Sequence, residues 1–418
     1  MNPSTHERLA IVDGLRTPFC KAGTELASLS AVELGRQVAN ALLTRTGVDP
    51  ALIDEVIFGC VAQPMDAANI ARVIALRAGI PQEVPAMTVQ RNCASGFQAL
   101  LSADLRLQAG RGSVFLVGGA ESMSQVPLLL SQEMGEKLAA LSKARTTMKR
   151  LAALTEFRPG DFHPVPGLQL GLTDPVSGLN MGETAEGLAR ELDLSREAQD
   201  AFALRSHQRA LAARARHAEE IAPVFLADGR VISRDNGPRE DTSAQKLAAL
   251  KPMFERGTGT VTAGNASQIT DGAVALLVMG EKRARELGFT PLGFLVDYAV
   301  TGCNPARMGL GPISATRRLM ERGHDPARAD VIEINEAFAA QVLAVIPEIP
   351  GLAGVDDPRL NPNGGSIALG HPVGATGARL VLTALRELAR SGKHSALLSL
   401  CVGGGQGCSL WIERPDFP

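Results

Sequence analysis

Aromatic side chains are scarce. They make up 4% of the chain, with a single Trp (Trp411) and a single Tyr (Tyr298). A surface that stacks on nucleic-acid bases needs more of them. Excess charge is also missing: 42 Lys and Arg stand against 44 Asp and Glu, a formal net charge of −2. Such a balance offers no basic field for a phosphate backbone, so no nucleic-acid partner is expected. No run of about 18 apolar residues occurs, so no membrane-spanning helix is expected. Met1 to Ala10 is polar and carries His6, Glu7 and Arg8, without the apolar stretch of a secretory signal. Six cysteines, at 20, 60, 93, 303, 401 and 408, form no Cys-x-x-Cys pair and are too few for a disulfide scaffold. The reading is a reduced, cytoplasmic protein with buried thiols, one or two of them catalytic. The phosphate motif G-x-x-x-x-G-K-[ST], a G-x-G-x-x-G after a strand, G-x-S-x-G and H-E-x-x-H are all missing.

Glycine is abundant, at 43 of 418 residues, and clustered. The composition, 45% hydrophobic and 21% charged, is that of a globular chain. At roughly 150 residues per domain the length allows two or three domains. Strand-like runs at Leu9–Val12, Glu55–Phe58, Ala86–Val89 and Val114–Val117 alternate with helical patterns at Leu29–Thr44 and Ala94–Gln108. The alternation predicts βαβ units around a buried, largely parallel sheet. The C-terminal part repeats the plan. Asp330-Val331-Ile332 echoes Asp54-Glu55-Val56-Ile57, Ala375-Thr376-Gly377 echoes Ala94-Ser95-Gly96, and Ser391-Gly392-Lys393-His394-Ser395 echoes Ala109-Gly110-Arg111-Gly112-Ser113. The near-constant offsets suggest an internal duplication, with two equivalent loops face to face. Residues 1–285 and 286–418 are the expected halves, and about 122–257 the expected insertion. Within it, Gln132–Leu154 reads as a basic helix with Lys137, Lys143, Arg145, Lys149 and Arg150. Arg158–Asn180 reads as loop, and Ser195–Ala218 as a helix capped by Ser195. The basic helix is either a solvated face or a docking surface.

Four blocks carry chemistry. Gln90-Arg91-Asn92-Cys93-Ala94-Ser95-Gly96-Phe97 puts a cysteine between a strand and a helix. The helix dipole and free N–H groups there favour a thiolate, so a lowered pKa and a nucleophile are expected. A lone cysteine is more often an inert buried thiol, so this block leans on the other three. His371 lies in the glycine-dense run from Asn363 to Gly377, where a histidine can act as general base or as oxyanion donor. Cys401 ends a strand before Gly403-Gly404-Gly405. In Glu333-Ile334-Asn335-Glu336-Ala337-Phe338, Asn335 can position a water and Glu336 a neighbouring group. Two cysteines and one histidine at strand-to-loop junctions fit a two-thiol mechanism better than a metal site, which wants three closely set ligands.

Together these blocks closely resemble the thiolase family, and the resemblance runs in order from about Leu9 to Glu413. Gly118-Gly119-Ala120-Glu121-Ser122-Met123-Ser124, Met181-Gly182-Glu183-Thr184-Ala185-Glu186 and Gly259-Thr260-Val261-Thr262-Ala263-Gly264-Asn265-Ala266-Ser267 agree with it. The resemblance implies an α/β thiolase fold: two similar halves with mixed five-stranded sheets in an αβαβα layering, plus an inserted loop or cap domain. It implies a β-ketothiolase that cleaves 3-ketoacyl-CoA with CoA, as in fatty-acid breakdown, or runs the reverse Claisen condensation. Cys93 would carry the acyl group, His371 would activate it, and Cys401 would be the second acid/base. Asn335 would hold an oxyanion-hole water beside His371, and Gly403 would add its N–H to that of Cys93 in another oxyanion hole. Met181, Ala263, Ser267, Met308, Ala337 and Phe338 would line the pantetheine and acyl site. CoA is then a co-substrate, with no permanent cofactor or metal, and a homodimer or homotetramer is implied. An acetoacetyl-CoA-specific acetyltransferase is the alternative. A decarboxylating ketoacyl synthase would lack the Cys93/Cys401 pair, and a non-catalytic scaffold would have no need of all four groups.

Two departures bear on chain length and partners. Asn180 stands where simple short-chain members often carry His. Lys143-Ala144-Arg145-Thr146, Pro164-Val165-Pro166 and Arg205-Ser206-His207-Gln208-Arg209-Ala210 look like the β-subunit of the fatty-acid trifunctional complex, which suggests a hydratase/dehydrogenase α-subunit as partner. That branch usually has His where this chain has Asn335.

Overall fold

The computed structural model describes residues 7–415; Met1 to His6 of the polar N-terminal stretch lie outside them. Nine strands follow one another in the main sheet: β1 (Leu9–Arg16), β2 (Glu55–Gly59), β3 (Ala86–Val89), β4 (Val114–Glu121), β5 (Thr270–Gly280), β6 (Gly293–Gly302), β7 (Val331–Ile334), β8 (Ser395–Val402) and β9 (Gln406–Glu413). Their spatial order is β7-β8-β9-β6-β1-β5-β4-β2-β3, and the short strand Cys20–Lys21 pairs with the start of β5. β2 runs parallel to β3 and β4, and β7 parallel to β8; the other pairs are antiparallel.

The duplication is visible in this order. The first half reads β1-β5-β4-β2-β3 and the second β6-β9-β8-β7. In the second half residues 359–361 take the fifth place: Ile332 N–H donates to Arg359 O and Asn361 N–H to Ile332 O, both at 2.8 Å, the bonds of a parallel strand one bridge long. Asp54 accepts from Ser113 and Val114 N–H at 2.7 and 2.9 Å, tying the end of one connection to the next strand. Asp330 does the same for His394 and Ser395 at 3.0 and 3.1 Å. Both halves also shift register at matching places, between Ile11 and Asp13 and between Leu295 and Asp297.

Alternate side chains of a strand face opposite sides, and here both sides are apolar. Val274, Leu276 and Val278 of β5 point into the central layer, with helices α3 (Ser95–Gln108) and α10 (Thr376–Ser391). Ala273, Ala275, Leu277 and Met279 point outward to α1 (Ala31–Thr46) and α2 (Ile70–Arg77). In the second half Leu398 and Leu400 face the same central layer, while Leu397, Ile332 and Trp411 face α7 (Arg196–Ala212), α8 (Gly311–Met320) and α9 (Ala339–Val345). The result is the αβαβα layering. The central helices touch through glycine. A Cβ on Gly96 would lie 2.6 Å from Ala378 N, and one on Gly377 would lie 2.4 Å from Phe97 N. No larger residue fits without moving backbone.

Residues Val126–Thr173 form a second compact unit. The expected helix at Gln132–Leu154 is two helices, α4 (Gln132–Lys143) and α5 (Thr147–Thr155). Ala144 turns extended, and the Thr146 hydroxyl accepts from Lys149 N–H to start a new helix. Lys137 pairs with Glu133 and Asp161, whereas Lys143, Arg145, Lys149 and Arg150 are exposed. The stretch expected as loop also holds a short helix, Gly167–Gly171. In the larger unit, α6 (Met181–Glu191) starts at Asn180, whose side chain accepts from Gly182 N–H while Glu183 accepts from Asn180 N–H. The expected helix from Ser195 breaks at Ala213. No helix of the described residues is long and apolar enough to cross a membrane.

Candidate active site

Ligand crevices in α/β sheets form beyond the C-terminal ends of strands. Three of the four blocks stand there. Val89 ends β3 before the Cys93 turn, Ile334 ends β7 before Asn335, and Cys401 is next to last in β8.

The Cys93 turn is tight. Asn92 is left-handed, with φ of 42°, a conformation that Asn tolerates better than most residues. Ala94 N–H bonds Arg91 O and Ser95 N–H bonds Asn92 O. The Ser95 hydroxyl donates to Asn92 O at 2.7 Å and accepts from Arg91 N–H at 2.9 Å. Asn92 Nδ2 donates to Gly403 O at 2.7 Å, joining this turn to the glycine loop after β8. The Gly403 N–H faces the Cys93 thiol closely enough to favour its charged form. Gly404 and Gly405 have φ of 86° and 82°, which leaves that loop to glycine.

The expected lowering of the Cys93 pKa is not found. Burial pushes the thiol above its ordinary value, and the Gly403 N–H only partly offsets this. A helix end contributes about 0.3–1 kcal/mol, less than the roughly 1.4 kcal/mol of one pKa unit, and burial shifts a group by several units. Ala94 and Ser95 N–H are, moreover, used in the turn. Cys93 rests as a thiol and needs a base. Cys401 is pushed well above the usual thiol range, by burial and then by the neighbouring Cys93. The other buried cysteines, Cys20, Cys60 and Cys408, are likewise raised by burial. What sets Cys93 apart from these three is that it is only half-buried and has Cys401 beside it.

His371 has a ring nitrogen free to accept a proton. Its Nδ1 lies 2.7 Å from Thr376 Oγ1, and that hydroxyl donates to Pro372 O at 2.9 Å. The hydroxyl hydrogen is thus committed, so the Thr376 oxygen accepts and Nδ1 carries the proton. Nε2 is left as an acceptor, buried and bonded to no protein atom. Burial, helped by the Arg379 charge, lowers the imidazole pKa to about 4, so the ring is neutral near pH 7. The loop is held by Glu121, which accepts from Gly374 N–H at 2.8 Å and from Val61 and Ala62 N–H. Glycine again permits the contact: a Cβ on Gly119 would lie 1.9 Å from Gly374 O.

Asn335 is fully buried. Its Oδ1 accepts from Ser366 Oγ at 2.6 Å, and its Nδ2 bonds no protein atom. Glu336 accepts from Ser206 Oγ at 2.5 Å, Asn361 Nδ2 at 2.9 Å and Ile367 N–H at 3.2 Å, and so anchors the loop ahead of His371. Met308, Ala337 and Cys401 form one apolar cluster, with Met181 and Phe338 against it. Ser267 joins through its N–H to Ala337 O at 2.9 Å, while Ala263 is exposed in the neighbouring loop. Thr376, Ser366, Arg379, Asn92 and Glu121 were missed by sequence reasoning. Asn92, Ser366, Thr376 and Glu121 lie inside blocks that the sequence singles out, but local pattern assigns them no role, and Arg379 lies in none of those blocks.

A thiol facing a backbone donor, a second thiol beside it and a neutral imidazole with a free nitrogen are the groups that cysteine-dependent acyl transfer uses. Comparison with known proteins agrees. Residues 9–282 match the model of the thiolase N-terminal domain and residues 289–414 that of the thiolase C-terminal domain. The chain is 40% identical to the 3-ketoacyl-CoA thiolase of Serratia proteamaculans, over 97% of each chain. It is 40% identical to the acetyl-CoA acetyltransferase of Allochromatium vinosum, over 98% of this chain and all of that one. Among solved structures, the acetyl-CoA acetyltransferase of Bacillus anthracis superposes with a TM-score of 0.89 at 39% identity, covering 98% of this chain and 99% of that one. Human mitochondrial 3-ketoacyl-CoA thiolase in complex with CoA gives 0.87 at 36% identity and 98% of both chains. The chain belongs to the thiolase family. It is an acyltransferase with thiolase activity.

Proposed function

We propose that the chain cleaves 3-ketoacyl-CoA with CoA, giving acetyl-CoA and a shortened acyl-CoA, through a thioester on Cys93. The observation that carries this reading is the Cys93 turn tied by Asn92 Nδ2 to Gly403 O, in the glycine loop that directly follows the second thiol, Cys401, with Cys401 in the apolar cluster of Met308 and Ala337. His371 Nε2 takes the Cys93 proton as the sulfur attacks the 3-keto carbon. The C2–C3 bond breaks, and its electron pair stays as the enolate of acetyl-CoA. Cys401, kept protonated by its burial, gives its proton to C2. CoA then attacks the Cys93 thioester and yields its thiol proton to Cys401, and His371 returns its own to the departing Cys93 sulfur. Gly403 N–H, with that of Cys93, stabilises the tetrahedral oxygen. Asn335 Nδ2 and the His371 ring face the enolate oxygen, Asn335 through a water.

Met181, Met308, Ala337 and Phe338 supply an apolar wall for the acyl chain, and Ser267 and Ala263 belong to the CoA-facing loops. CoA is the co-substrate in this reading and no permanent cofactor takes part. Among the described residues no group of three or more His, Cys, Asp or Glu is placed to hold a metal. A homodimer or homotetramer, a hydratase/dehydrogenase partner and a cytoplasmic setting rest on the sequence resemblance and composition.

CoA-dependent thiolysis measured from acetoacetyl-CoA to long 3-ketoacyl chains tests the reading. Longer chains should be cleaved as well as acetoacetyl-CoA or better. Turnover of acetoacetyl-CoA alone would replace it with an acetoacetyl-specific acetyltransferase.

A further inference from the structure

The Asn335 amide has two ends of nearly the same shape and opposite function: one accepts hydrogen bonds and the other donates them. Only the end that donates can stabilise a developing oxyanion, so something must set which way the amide faces. The structure offers one group for this. Ser366 Oγ donates to Asn335 Oδ1 at 2.6 Å. Arg379 Nη2 donates to that same hydroxyl at 3.4 Å, and Arg379 Nη1 is held by Glu333 at 3.2 Å. All four side chains are buried. An arginine only donates, so the Ser366 hydroxyl accepts from it and keeps its own hydrogen for Asn335. The guanidinium charge also favours the carbonyl end of the amide on that side. The Asn335 backbone is fixed by its N–H on Ser399 O at 2.9 Å, which leaves rotation of the side chain as the open degree of freedom. Ser366 lies in the same loop as His371, with Gly370 N–H on Ser366 O at 2.9 Å, so one segment sets both groups around the oxygen.

We propose that Ser366 is a positioning residue that turns the Asn335 amide so that Nδ2 faces the water on the reacting thioester oxygen. The proposal rests on the reading of Asn335 given above. Without the hydroxyl the amide is free to rotate and present its oxygen to the bridging water, which then spends one hydrogen on the amide and loses its fixed orientation toward the enolate. Ser366 touches no substrate and acts through Asn335 alone.

Four enzymes test it: wild type, Ser366→Ala, Asn335→Ala and the double variant, each assayed for kcat and KM in acetoacetyl-CoA thiolysis and for the rate of Cys93 alkylation by iodoacetamide. Ser366→Ala should lower kcat by about tenfold or more, short of the roughly hundredfold or greater loss on removing an oxyanion-hole donor. KM should stay within about twofold and Cys93 alkylation should be unchanged, because this loss belongs to the transition state. In the Asn335→Ala background the same substitution should cost nothing further. Wild-type turnover in Ser366→Ala, or a full additional loss in the double variant, would overturn the proposal. Wild-type turnover in Asn335→Ala alone would instead remove the role of Asn335 and the proposal with it. Should the alanine variant not fold, Ser366→Cys keeps the volume, weakens the hydrogen bond and carries the same comparison.

Discussion

Cys93 and His371 occupy equivalent junctions of a duplicated fold, each just ahead of a central helix. Ser95 and Thr376, one residue before Gly96 and Gly377, carry equivalent hydroxyls. Their work differs. Ser95 donates to Asn92 O and accepts from Arg91 N–H, so it closes the backbone turn that presents the thiol. Thr376 donates to Pro372 O and accepts from the imidazole Nδ1, so it selects the tautomer of the base. The fold supplied two copies of one loop. The partners in reach of each hydroxyl, backbone alone for Ser95 and an imidazole for Thr376, then made one copy present a thiol and the other hold a histidine.

The largest expected effect breaks the second copy. His371→Ala should lower thiolysis kcat by about 10²- to 10⁴-fold, the usual worth of a positioned base, with little change in melting temperature. Thr376→Val, nearly isosteric, should cost about ten- to a hundredfold through a misplaced ring. Ser95→Ala should read mainly as stability, by about 1–3 kcal/mol for the backbone group left unpaired. Steady-state kinetics and denaturant unfolding on the three variants separate these outcomes. Equal kinetic losses in Thr376→Val and Ser95→Ala, with equal stability, would erase the distinction.

Smaller and symmetric effects are expected where the copies remain alike. Gly96→Ala and Gly377→Ala each force a Cβ against the facing backbone, and each should destabilise by about 1–3 kcal/mol, measured by unfolding in urea. A large loss at one and none at the other would contradict the shared crossing.

The smallest expected effect is on kcat/KM at mildly acid pH. His371 is neutral down to about pH 4, so kcat/KM should hold from pH 7 to about 5, and an acid limb at pH 6.5 would contradict the environment described here. Stability should behave differently. His371 and His207 both sit near 4 in the fold and near 6.5 when unfolded. The unfolded chain therefore binds more protons between those values. Stability is full above about 6.5 and falls as pH drops toward 4, which thermal melts across that range would show.

Much of this was legible in the sequence because the informative blocks are local. β3 spans the expected Ala86–Val89, and the Asp54 and Asp330 echoes became matching ties between strands. The four blocks are tied together, through Asn92 on Gly403, Ser366 on Asn335 and Cys401 against Ala337, and three of them stand at strand ends of a duplicated sheet. What was not legible depends on distant partners. The Cys93 pKa was expected to fall because a helix end can be read from neighbours, whereas burial cannot. Ser366 gains its meaning from Asn335, 31 positions away, and Glu121 its hold on the His371 loop from Gly374, 253 positions away. The break at Ala144–Thr146 was hidden because helical periodicity runs on across it, and the cap that starts the second helix is an ordinary Thr.

The central claim is that the thiol of one junction is acylated with the imidazole of the other as its base. Rapid quenching after mixing with acetyl-CoA, followed by peptide mass spectrometry, tests it most directly. The account predicts one acetyl group on the Cys93 peptide of the wild-type enzyme and none on the same timescale in His371→Ala. Acetylation of Cys401 or Cys303 in place of Cys93, or equally fast labelling of Cys93 without His371, would contradict it.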